Sequence, residues 1–130
     1  MIEASMITLL EATTAITDLV STRIYQVQLP QAPTMPAIVI TNITGNDDYS
    51  AEAPLDLIVA RFQIDCYGAT LAESLAVGVA VNTLMSGYKG AAGGDNIEGS
   101  FNRNKRDLYD SQTENHRRLT EYEIFYKLGS

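Results

Sequence analysis

The sequence predicts an α+β fold: a mainly antiparallel β-sheet packed against two helices, with a long loop or hairpin extension. Three observations carry this. An apolar stripe with helical spacing opens the chain, and a strictly alternating run at 57–67 leads into a helix-start signature at Thr70. A second alternating run then closes the chain at 121–126. The 130 residues form a single domain, 1–130, with no repeat, low-complexity tract or linker. A chain of this size buries about two-thirds of its extended surface, enough for a core without disulfides.

Residues 2–20 read as one helix. Ile2, Met6, Leu9, Thr13, Ile16 and Val20 share a face, widened by Leu10 and Leu19, while Glu3, Glu11 and Asp18 fall away from its centre. Many threonines lower its intrinsic propensity, so burial must hold it. Arg23-Ile24-Tyr25 reads as a short strand or an extended arm. Pro30, Pro33 and Pro36 forbid a regular helix, and the β-branched run Ile38-Val39-Ile40 makes 37–43 a strand. Residues 44–56 lack periodicity and read as a long loop or hairpin tip.

In the strand at 57–67, Ile58, Ala60, Phe62, Ile64 and Cys66 share one face, and Arg61, Gln63 and Asp65 the other. Thr70 and Glu73 form a capping box that starts a second helix running to about Met85. This helix is apolar on most of its circumference. Leu71, Ala72, Leu75, Ala76 and Val79 make one side, expected against the sheet, and Val77, Val81 and Leu84 another, expected to meet a second subunit. Residues 86–96 read as a glycine-rich connection. Ile97 to Phe101 is a short strand, and a further strand reaches Tyr109 before a turn near Asp110. The last strand begins near His116 and places Tyr122, Ile124 and Tyr126 on one face.

Nine basic against sixteen acidic residues give a net charge of −7. Residues 1–60 hold one arginine, Arg23, against seven acids, while the rest is nearly balanced. Tight, sequence-independent binding of nucleic acid requires clustered lysines and arginines. Here Asp107, Asp110 and Glu114 dilute Arg103, Lys105, Arg106, Arg117 and Arg118, which argues against a DNA-binding module. No apolar run is long enough for a transmembrane helix, and acidic Glu3 near the start predicts no signal peptide.

Nothing in the residues amounts to an enzyme signal. One cysteine excludes an internal disulfide and a thiolate metal cluster, and Cys66 reads as a buried small hydrophobe. His116, the one histidine, has no partner set for catalysis. Asp107, Asp110 and Glu114 lack the dense alternation of a calcium loop, so Arg106, Asp107 and Asp110 are assigned to ion pairs and caps. The glycines at 87–94 lack the lysine and hydroxyl of a phosphate loop and follow a helix rather than a strand. No catalytic, cofactor-binding or metal residue is assigned, and no cofactor.

The order of short motifs is informative where no single one is. Arg23-Ile-Tyr, Leu29-Pro-Gln and Pro36-Ala-Ile-Val-Ile are followed by Tyr49-Ser, then Arg61-Phe-Gln-Ile-Asp-Cys-Tyr-Gly. Arg106-Asp-Leu-Tyr-Asp and His116-Arg come before the final strand. Over about residues 1–127 this resembles the tail-completion, head–tail joining (tail terminator-like) family of tailed bacteriophages and prophages. The resemblance implies a non-enzymatic virion subunit, assembled in the host cytoplasm, that forms a ring with copies of itself, typically a hexamer. The ring sits at the tail–neck junction, between the tail tube protein and the head-completion or neck protein. DNA passes through its lumen without specific binding, and no membrane is involved. On this reading the expected subunit interface combines Val77, Val81 and Leu84 with Asp47, Asp48 and Tyr49 of the loop. The alternative is a monomeric, non-enzymatic binding module of the same fold.

Overall fold

The computed structural model describes residues 2–43 and 57–127. The fold is α+β. Helices α1 (Ile2–Glu11) and α2 (Thr14–Val20) come first, then strands β1 (Ile24–Gln26), β2 (Ala37–Asn42) and β3 (Ile58–Gly68). Helix α3 (Leu71–Met85) follows, then β4 (Gly90–Ala92), β5 (Asp95–Asp110) and β6 (Asn115–Lys127). The strands form one six-stranded sheet in the order β1-β2-β3-β6-β5-β4. Every pairing is antiparallel except β1 with β2.

The expected first helix is two helices. Thr13 leaves helical geometry with φ −99° and ψ 108° and starts α2. The hydroxyls of Thr8 and Thr13 donate to the carbonyls of Ala4 and Leu9, four residues back. Such bonds compete with the helix ladder and bend it, so the threonines break what the apolar spacing alone would continue. The apolar stripe still serves one core, because Ile2, Met6, Leu9, Ile16 and Val20 are all buried. The sheet therefore packs against three helices, where two were expected.

The 86–96 stretch, expected to be connection only, contains β4, which pairs with the start of β5. Gly93 makes the turn at φ +55°, and an added Cβ would come within 2.9 Å of the Ser5 Cα, so the turn and its approach to α1 both need glycine. Ser5 donates to the buried Asp95 carboxylate at 2.7 Å, tying α1 to the start of β5.

The sheet carries the core on one face. Ile38, Ile40, Ala60, Phe62, Ile64, Cys66, Ile97, Tyr122 and Ile124 meet α1, α2 and the inner side of α3. Fully burying a side chain such as Phe62 stabilises the fold by about 1.5–3 kcal/mol. β5 and β6 form a long hairpin, with register shifts at Ile97/Gly99 and Asn102/Asn104. β5 is one continuous strand of 16 residues rather than the two segments expected.

Candidate assembly surfaces

Helix α3 begins as its capping box predicts. The Glu73 amide donates to the Thr70 hydroxyl at 3.2 Å, and the Glu73 carboxylate accepts from the Ala69 amide at 2.8 Å. The face it turns to the sheet is the reverse of the expected one. Ser74, Val77, Gly78, Val81 and Met85 are buried, and Leu84 packs partly buried against the same core. Val77, Val81 and Leu84 are thus core residues, not a free contact surface. Leu71 and Val79 point outward, 46% and 59% exposed, with Ala72 and Ala76 beside them.

Two long-range contacts set this orientation. Gly78 lies over the Arg118 side chain so closely that a Cβ there would come within 2.5 Å of Cδ. Asn82 accepts at Oδ1 from both the Tyr122 hydroxyl (2.9 Å) and the Asn102 amide (3.0 Å). Burial pushes the Tyr122 phenol up to about 12. The ridge Ser74-Val77-Gly78-Val81-Met85 has i, i+3, i+4 spacing, so small residues at 74 and 78 were the available signal for the sheet-facing side.

Between α2 and α3 lies a recess of about 390 Å³. Leu19, Pro36, Ala72, Ala76 and Val77 supply its apolar walls, and Asp18 and Glu73 stand among its lining residues. Arg23 is close by, donating to the carbonyls of Pro36 (2.8 Å) and Leu19 (3.3 Å).

The sheet face away from the helices carries a different set. Phe101, 44% exposed, meets Phe125 edge to face at 5.8 Å, and the Arg103 guanidinium lies 5.2 Å from its ring centre. Arg103 donates twice to Glu123 Oε1, at 2.8 and 3.1 Å, and Arg61 lies 3.6 Å from the other oxygen of that carboxylate. Toward the hairpin turn, Tyr67, Leu108, Tyr109, Asp110 and Arg117 line an open cleft of about 470 Å³. The His116 ring lies 4.8 Å from that of Tyr109.

Among the residues assigned to ion pairs, Asp107 accepts from Arg118 Nε at 2.8 Å and Nη2 at 3.0 Å, and the bidentate bond lowers its pKa. Asp107 is nearly half exposed, so the pair is worth less than about 1 kcal/mol after solvent screening. Asp110 accepts from the Gln112 amide at 2.9 Å and caps the hairpin turn; that bond draws its pKa down. Arg106 is exposed and makes no ion pair with the described residues. Asp47, Asp48 and Tyr49 lie outside the described residues.

Two titratable groups sit side by side within β3. Cys66 is fully buried on the core face, and desolvation, with the Asp65 charge beside it, raises the thiol well above its usual range. Asp65 is buried on the opposite face, between Val39 and Leu119 in the register. It accepts from the Gln63 amide at 2.9 Å and lies 3.9 Å from Arg117, yet Oδ1 has no hydrogen bond. Desolvation outweighs the amide and the guanidinium, so its pKa is raised. In the sequence Asp65 stood on the polar face of its strand and within a motif, and neither reading marked it as buried. Among the described residues no group of three His, Cys, Asp or Glu side chains is placed to hold a metal ion, and no helix is long and apolar enough to cross a membrane.

Comparison with known proteins gives one family. The family model described as tail completion protein gp17 matches residues 4–127. Among solved structures, a chain from the virion of a native gene transfer agent particle superposes with a TM-score of 0.69 at 18% sequence identity. The match covers 95% of this chain and 92% of that one. No curated protein matches.

Proposed function

The chain belongs to the tail completion protein gp17 family, and from that membership we propose that it is a structural virion subunit that completes a phage tail. Copies close into a ring, six on the family resemblance, at the head-proximal end of the tail. The ring ends the tail tube and joins it to the head-completion or neck protein, while DNA passes through its lumen unread. The observation that carries this reading is the family match, which spans all but a few terminal residues. Its physical support is the outward face of α3, where Leu71 and Val79 stand exposed on a helix that has already filled its own core. Identical subunits cover such a face by repeating one contact until the rotation closes.

Electron microscopy of tails assembled with and without the protein tests the proposal. Wild-type protein should give tails of uniform length joined to heads, and its omission should give overlong or headless tails. Uniform, head-joined tails made without it would refute the reading.

A further inference from the structure

The ring reading leaves open which surfaces meet, and the two outer faces of the molecule are chemically complementary. On the helical side is the recess between α2 and α3, with apolar walls and the carboxylates of Asp18 and Glu73. On the opposite side of the sheet stands an exposed aromatic ring carrying a guanidinium: Phe101 with Arg103 stacked on it. We propose that the joint between copies seats Phe101 of one copy in the α2–α3 recess of the next, bringing Arg103 to Asp18 and Glu73. This inference rests on the ring reading.

Several observations favour a second copy as the occupant. The recess calls for an apolar knob flanked by a cation, and this chain displays that pair itself. Phe and Arg are residue types that dominate interface energetics. Half of the Glu73 carboxylate is committed to the Ala69 amide, and Arg23 is held by two carbonyls at the recess wall. Asp18 is exposed and makes no ion pair with the described residues, so it offers the least encumbered acceptor. Arg103 is half exposed although it bonds Glu123, leaving donors free to reach a further carboxylate.

The placement also makes the contact one between two different patches. Phe101 lies opposite Glu123 in the register, and Glu123 points away from the helices because its neighbours Tyr122 and Ile124 point into the core. Knob and recess therefore occupy different sides of the subunit. A contact between different patches is heterologous, the kind that generates rings. In an acidic chain of net charge −7, generic self-association is opposed by repulsion, so pairing a local cation with a local acid selects this register over others.

Disulfide trapping combined with charge exchange tests the proposal on the purified full chain. Ala76→Cys and Phe101→Cys are introduced together, both at exposed positions, with buried Cys66 retained. Under mild oxidation at high concentration the double variant should form intermolecular disulfides and closed multimers, while each single variant should give dimers at most. In parallel, Arg103→Glu should weaken self-association by about tenfold, as should Asp18→Arg, and the two changes combined should restore most of the loss. Phe101→Ala, which leaves every charge in place, should weaken association as well.

Absence of intermolecular disulfides in the double variant, at a concentration where Phe101→Ala still self-associates, overturns the joint, as does self-association that ignores all three substitutions. If tails still require the protein while the trap fails, the ring reading survives with different contact surfaces. If tails never require it, the ring reading falls on its own evidence.

Discussion

Asp65 stands out at the residue scale because its surroundings oppose its charge. Burial between Val39 and Leu119 raises its pKa, and one carboxylate oxygen is left without a hydrogen bond. The folded chain therefore binds this proton more tightly than the unfolded chain. Below the ordinary carboxylate value both states are protonated and Asp65 costs nothing. As pH rises through the interval up to the folded value, the unfolded state ionises first and stability is lost; above that interval the loss is constant. Asp65→Asn should raise the melting temperature at pH 7, and its advantage should shrink toward zero as pH falls below about 4. A lower melting temperature at pH 7 would show that the Arg117 attraction prevails. The neighbouring Cys66 faces the other way, into hydrocarbon, with a raised pKa that disfavours thiolate. Thiol labelling of the native protein should be slow, and Cys66→Ser should cost about 1–3 kcal/mol of stability through the buried hydroxyl. Rapid native-state labelling would contradict the burial.

At the scale of elements, helix α3 is decided by contacts far away in sequence. Its boundary was legible, because the Thr70–Glu73 capping box is a local device. The alternation that puts Phe62, Ile64 and Cys66 in the core was legible for the same reason, since period two is a property of the strand alone. The inward face of α3 was marked only by its small residues Ser74 and Gly78. Apolar residues surround most of the helix, and the choice falls to Gly78 meeting the Arg118 stem and Asn82 reaching Tyr122. The first face chosen for the candidate site was therefore the buried one. Strand β5 was hidden differently. Its outer half is polar on both sides and held by cross-strand pairs such as Asp107–Arg118, with bulges interrupting the alternation. Paired substitutions check the orientation. Val81→Asp places a charge in the core and should cost about 4 kcal/mol or more, enough to prevent stable folding in a domain of this size. Val79→Asp should fold with a near-native melting curve and fail only in assembly. Equal stability of the two variants, read by thermal denaturation, would reverse the assignment of the faces.

The whole molecule is acidic, yet its basic residues are not spread evenly. Residues 1–60 contribute Arg23 alone, while Arg103, Lys105, Arg106, Arg117 and Arg118 gather on the β5–β6 hairpin. Such a cluster would suit phosphate if it were unopposed. The structure opposes three of the five, because Glu123 is bonded by Arg103, Asp107 by Arg118, and Asp65 lies beside Arg117. Neutralised cations release few counterions from DNA, and the remaining field of a −7 protein repels the duplex. On the proposed ring such a subunit would line a channel, and this would benefit it, since every lasting phosphate contact would retard DNA moving past it. Fluorescence anisotropy with a labelled duplex at near-physiological salt should therefore show no binding tighter than about 10⁻⁴ M, the weak end of non-specific affinity. Neutralising the acids should expose the latent cations: Asp107→Asn combined with Glu123→Gln should bind measurably tighter than wild type, with a steeper loss on adding salt. Micromolar affinity in the wild-type protein would mean that the hairpin arginines hold DNA as it stands, and the picture of an unread passage would have to be abandoned.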